Sequence, residues 1–282
     1  MKKLLTVLFS VMVLTFCGCA GKGADVKAAN EPTGEMNTYF QGAYIDADTA
    51  TKKLEAAGFE VIANYKSIKK AKTIVFTCPS LKKEAAKPGR AYVAAMRMFV
   101  DEKAQTISVT NPVYFGKAYM QKDYNHAVFS AVAGKINAAF PGLTNSPDKM
   151  EYDELADFHF TIGMPYYEEQ EVVGEGSNAD LLVKAKGYKK GKKLIFELKL
   201  SETSTLLGYA LGSGTTRFPK KIGRANAGLL PWTISIEDGK AKILRGEYYI
   251  ALNYPLLDMG GFMGIMSTPD SVIKDLTKPF KK

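Results

Sequence analysis

Ile107-Ser-Val-Thr-Asn-Pro-Val113 aligns without a gap on Ile250-Ala-Leu-Asn-Tyr-Pro-Leu256, an offset of 143 residues, and Tyr119-Met120 continues the match in Phe262-Met263. A repeated pattern at this spacing points to one structural unit performed twice. In the first unit, Tyr39 to Ile45 reads as a strand and Asp48 as the N-cap of a helix whose Ala50, Leu54 and Ala57 share a face. Gly58 stops that helix; strands follow at 60–65 and 73–77, then a short helix over 80–86. A hairpin closes the unit, with Tyr92 to Val100 and Thr106 to Thr110 joined through Asp101-Glu102-Lys103.

The second unit repeats this order. Phe158 to Ile162 is its expected first strand, Asn178 caps a helix that Gly187 stops, and strands are expected at 194–200 and 206–211. A helix over 219–227 leads into a hairpin of Trp232 to Ile236, a Glu237-Asp238-Gly239 turn and a long return strand ending near Leu252. Pro112 and Pro255 are expected at matching strand exits. An apolar face of Tyr124, Val128, Ala131, Val132, Ile136 and Ala139 predicts a helix after the first unit; Phe262, Ile265 and Met266 begin a shorter one after the second, and Pro269 begins another.

Outward from the repeat, the chain opens with Lys2-Lys3, an apolar run from Leu4 to Phe16, then Cys17-Gly18-Cys19. A positive start, a short apolar segment and a small residue before the cut describe a secretory signal, and a run of 13 residues is too short to span a bilayer. The pattern resembles the bacterial lipobox, which implies cleavage before Cys19 and lipid attachment at Cys19. Ala20 in place of aspartate favours an outer-membrane address facing the periplasm over the inner membrane. The expected organisation is a signal peptide at 1–18, a flexible tether at 19–37, a first α/β domain at 38–148 and a second at 149–282.

Removal of the signal lowers the formal net charge from +9 to +7 over 264 residues. Lysine and arginine gather at 66–90, 184–193 and 217–224; in an exported lipoprotein these are solvated faces or contacts to anionic headgroups, and nucleic acid is not an expected partner. Cys78 is the one thiol left once Cys19 carries lipid, so no intramolecular disulfide forms, and the apolar run Thr73-Ile-Val-Phe-Thr77 before it favours burial.

Both units resemble the domain of unknown function 302 family. The segments that carry the likeness are Leu54-Glu-Ala-Ala-Gly-Phe59, Thr77-Cys-Pro-Ser-Leu81, Phe99-Val-Asp-Glu-Lys103 and Leu229-Leu-Pro-Trp-Thr-Ile-Ser-Ile-Glu-Asp-Gly239. The first copy departs from the family pattern, with Thr-Cys-Pro for an Asn-Pro step and Gly89-Arg90 for a Leu-Pro. The resemblance implies an α+β protein of two similar small sandwich domains, ordered strand-helix-strand-strand-helix-hairpin and packed as an internal pseudo-dimer. It implies no activity.

Candidate chemistry is sparse. His126 with Asp123 and His159 with Asp157 fall short of the three or more ligands a metal cage needs, and no metal or other cofactor is expected. Cys78 with His126 is the only thiol–imidazole pair, and no nucleophile elbow or phosphate-cradling loop accompanies it. Tyrosines flanking predicted strands, Tyr114 and Tyr254 among them, are candidates to line a pocket for a small apolar ligand, against ordinary core packing. Met259, Met263 and Met266 recur at helical spacing, a soft set for copper(I) or a core stripe. The expectation is a lipid-anchored envelope protein of unknown activity. It would serve as a non-catalytic binding or accessory module whose partners are membrane lipid and a small apolar ligand or an envelope protein. Redox or copper handling through Cys78 or the methionines is the alternative, and an envelope structural partner a third reading.

Overall fold

A computed structural model describes residues 31–281. The signal segment, Cys17, Cys19 and the tether up to residue 30 lie outside the described residues. The first half runs β1 (Glu35–Asn37), β2 (Tyr39–Ala43), α1 (Ala47–Ala56), β3 (Glu60–Ile68), β4 (Ala71–Thr77), α2 (Pro79–Ala85), β5 (Met96–Asp101), β6 (Thr106–Thr110), α3 (Pro112–Met120), α4 (His126–Ala139), β7 (Thr144–Asn145) and β8 (Lys149–Glu151). The second runs β9 (Glu171–Glu175), α5 (Asn178–Gly187), β10 (Leu194–Lys199), β11 (Ser204–Tyr209), α6 (Pro219–Ile222), β12 (Trp232–Glu237), β13 (Lys240–Ile243), α7 (Gly246–Asn253), α8 (Met259–Met263) and α9 (Thr268–Thr277).

The two main sheets have orders β3-β4-β5-β6-β2-β7 and β10-β11-β12-β13-β9, so apart from the two-residue β7 they repeat one antiparallel topology strand for strand. Registers agree as well: Ala71 faces Asp101 as Ser204 faces Glu237, and each carboxylate residue ends the first strand of its hairpin. The fold is α+β, as the sequence implied.

The gapless match that suggested the repeat does not mark equivalent positions. Ile107 to Thr110 lie in β6, whereas Ile250 to Asn253 lie in α7; Pro112 opens α3, whereas Pro255 follows α7. Strand order supports duplication, and the expected proline equivalence fails. The structural equivalents are Asp101 with Glu237, and Tyr114-Phe115 with Tyr248-Tyr249, each tyrosine third in its helix; the second hairpin turn is two residues shorter. Tyr248 to Leu252 is a continuous apolar run, and such a run carries no period to separate a strand from a helix buried on all sides. Phe158 to Ile162 is likewise no strand; β9 takes that place at the edge of the second sheet.

Capping differs from expectation by one or two residues. Asp46, in extended conformation, accepts from the N–H groups of Asp48 and Thr49, and Ser177 accepts from Asp180 N–H, so these residues cap α1 and α5. Asn178 instead bridges two turns, accepting from Gly239 N–H and donating to Thr203 O. Gly58 takes φ +82° after α1, whereas Gly187 remains right-handed and the left-handed residues are Lys189, Lys190 and Gly191. On α4, Phe129, Val132, Ala133 and Ile136 are buried and Ala131 faces out.

The expected boundaries also shift. β1 forms within the segment read as tether and pairs with β8, and Tyr152 donates to the Glu31 carboxylate, so residues 149–152 belong with the first half. The halves meet reciprocally. Residues 91–94, a 3-10 turn, lie on β11 and β12; residues 224–229, the corresponding turn, lie on β5 and β3; edge strands β3 and β10 touch. This is the isologous arrangement of a pseudo-dimer. It leaves β5 and β12 buried at every position, the polar Arg97, Asp101, Thr233, Ser235 and Glu237 included. Full burial of a residue such as Leu54 or Trp232 contributes on the order of 2–3 kcal/mol.

Candidate functional site

The seam between the halves holds most of the tyrosines. Tyr39 stacks on Tyr254 with ring centroids 5.9 Å apart and donates to Asn253 Oδ1; Tyr114 donates to Leu252 O at 2.9 Å, Tyr254 to Ala225 O at 3.0 Å and Tyr249 to Leu229 O at 2.9 Å. Burial pushes the phenols of Tyr39, Tyr114 and Tyr254 well above their ordinary value, so they act as neutral donors. The void beside them, lined by Met96, Arg97, Thr110, Phe115, Tyr119 and Asn253, is about 10 Å³, enough for one water. Tyr114 and Tyr254 therefore join the halves, the first through Leu252 O and the second by stacking on Tyr39. Arg97 is buried here, donating to Ala95 O and Pro231 O with its guanidinium 5.8 Å from the Tyr249 ring centre.

The thiol and the imidazole each meet other side chains. Cys78 is buried at the start of α2, with Sγ 3.1 Å from Ser80 Oγ. Both ring nitrogens of His126 are occupied, Nδ1 by Tyr124 Oη at 3.1 Å and Nε2 by Ser130 Oγ at 2.9 Å. His159 lies against Tyr166, with centroids 4.5 Å apart. Among the described residues no group of three or more His, Cys, Asp or Glu side chains is placed to hold a metal ion.

Two surface features remain. A groove of about 470 Å³ runs between the start of α1 and the β3–β4 turn; Lys66, Lys69, Lys70 and Lys72 line it with Tyr44, Asp46, Asp48 and Glu102. Lys70 pairs with Glu102 at 3.0 Å, which leaves three lysines against the acids of α1's first turn. Arg224, from the second half, donates to Lys69 O and Lys70 O and so holds the turn in place.

The second feature is the methionine stripe, which is not core. Met259, Met263 and Met266 are 44, 54 and 60% exposed on and just after α8, while Phe262 and Ile265 point inward. Helical spacing gave the face and no information on whether anything covers it. The groove was missed by sequence reasoning because Asp46, Lys72 and Glu102 come together only through sheet pairing; the lysine cluster at 66–90 was its only signal.

No protein-family model, no curated protein and no solved structure matches the chain. The likeness to the domain of unknown function 302 family therefore rests on the short segments that carry it. Among the described residues no helix is long and apolar enough to cross a membrane.

Proposed function

We propose that the protein is a lipid-anchored envelope lipoprotein whose folded part is a non-catalytic binding or accessory module. The observation that carries this reading is the internal consumption of its reactive groups: Cys78 is buried, both nitrogens of His126 are bonded, and Tyr114, Tyr254 and Tyr39 donate to Leu252 O, Ala225 O and Asn253 Oδ1. Binding is then left to the surface, where the lysine-lined groove offers the concave site and the exposed methionines an apolar one. Anchoring through Cys19 follows from the lipobox resemblance, and an outer-membrane, periplasm-facing address from Ala20. The test is fractionation and lipid labelling of Cys19→Ser in its own envelope, together with native mass spectrometry of the wild-type protein purified from it. Unchanged membrane retention of the variant removes the anchor; turnover of an envelope metabolite by the purified protein removes the non-catalytic reading.

Copper handling is a second reading, favoured by the exposure of three thioethers. Copper(I) titration against a competing chelator tests it, and no retained metal ends it. The thiol version is weakened by burial of Cys78.

A further inference from the structure

Among the described residues, eight large apolar side chains are exposed in the second half, and four of them fall in one short stretch. Leu256 is 61% exposed just before α8, and Met259, Met263 and Met266 follow on and just after it. Soluble surfaces seldom group side chains of this size without a partner. Basic side chains rim the patch: α6 packs against α8, Lys221 Nζ donates to Gly264 O at 2.9 Å, and Arg217 and Lys220 are exposed beside it. Within residues 256–270 the exposed acids are Asp258 and Asp270, and Asp258 is engaged in capping α8. Apolar tips rimmed by lysine and arginine suit an anionic lipid surface, and the rim repels a metal cation.

The point where the chain enters the fold lies on the same side. Thr38 N–H donates to Asp148 O, the Asp148 carboxyl faces the Leu256 N–H, and Tyr39 is bonded to Asn253 and stacked on Tyr254. Eleven residues separate Cys19 from Glu31, the first described residue, which is tied to Lys117 and Tyr152. We infer that Leu256, Met259, Met263 and Met266 form a face that dips into an anionic bilayer, orienting the module on its membrane. This deepens the proposed function and rests on it.

The test uses the full acylated protein on vesicles of phosphatidylcholine and phosphatidylglycerol. A nitroxide is placed at Met263→Cys, with a control at Val183→Cys, which is exposed on α5; buried Cys78 stays unlabelled in the parent. Flotation reads anchoring, and accessibility of the nitroxide to oxygen against a polar relaxant reads depth. We expect the 263 label at the headgroup–acyl boundary and the 183 label in water. Replacing Lys220 and Lys221 with glutamine should lower the immersed-to-aqueous ratio about fivefold per lysine. A floating protein with an aqueous 263 label overturns the inference and leaves the anchor standing. A protein that does not float but is immersed with excess vesicles supports the inference and removes the anchor. Failure of both overturns both. Dipolar broadening at 263 without vesicles marks the face as a contact with a second copy and overturns the bilayer assignment.

Discussion

Asp101 and Glu237 end equivalent strands, and each carboxylate is held by the opposite half of the chain. Arg224 Nε donates to the Asp101 oxygens at 2.7 and 3.0 Å, and Gly89 N–H donates to Glu237 Oε2 at 2.9 Å. The two halves thereby share one core, with a polar clasp from each half to the other.

The clasps differ in chemistry and should differ in strength. The Asp101 side chain is 2% exposed and also accepts from the N–H groups of Lys103 and Ala104, so Arg224→Ala leaves a buried carboxylate short of its cation. Denaturant unfolding should show a loss of about 2–3 kcal/mol. Glu237→Ala removes one charge-assisted bond to a backbone donor and should cost about 1–2 kcal/mol. A loss below about 0.5 kcal/mol for Arg224→Ala, within the usual range for surface substitutions, would mean that the apolar seam alone holds the halves.

Tyr114 and Tyr248 occupy the same position in α3 and α7 but make different use of their hydroxyls. Tyr114 donates to Leu252 O, whereas Tyr248 Oη is buried without a protein partner. Tyr114→Phe should therefore destabilise by about 1 kcal/mol, and Tyr248→Phe should be neutral or stabilising by up to about 1 kcal/mol. Equal losses in a thermal or denaturant series would show that the Tyr248 hydroxyl is satisfied.

Element order was legible because alternation and turn chemistry are local. Asp238 and Gly239 take φ of +51° and +72°, the conformation their Asp-Gly sequence announces, and the strands on either side alternate about it. The burial of Cys78 followed from the apolar run before it. The fate of Tyr248 to Leu252 was not legible, since helix α7 is buried on every side and loses its period. Nor were the roles of Tyr114, Tyr254 and Met263: periodicity places a side chain on a face, and only packing determines whether that face meets a void, a neighbour or water.

Gly208 shows how tightly the second sheet is filled. It faces Phe196 across β10 and β11, and a Cβ there would stand 2.2 Å from the Phe196 ring. Phe196 is itself buried, so Gly208→Ala must displace the ring or the strand, at a cost of about 1–3 kcal/mol. Gly134, on the exposed side of α4 with nothing within 4 Å, is the control; its alanine variant should gain up to about 1 kcal/mol through helix propensity. Opposite signs in one unfolding series are the expected result, and two gains would mean that Phe196 moves freely.

Asp148 gives a pH dependence with a definite sign. Burial pushes its carboxyl above the ordinary value, and the Leu256 N–H, which favours the charged form, only partly offsets this. A raised folded-state pKa contributes stability that is fully present below the unfolded value, near 4, and is lost as pH rises through the folded one. At neutral pH the carboxylate is therefore a cost. Asp148→Asn keeps an oxygen for the Leu256 N–H and removes the charge, so the variant should melt higher than the parent at pH 7. The difference should shrink as pH falls and close below about pH 4, where Asp148 is neutral in both folded and unfolded chains. A variant that melts lower at pH 7 would mean that the N–H contact outweighs desolvation, and that the junction between the N-terminal segment and Leu256 is held by charge.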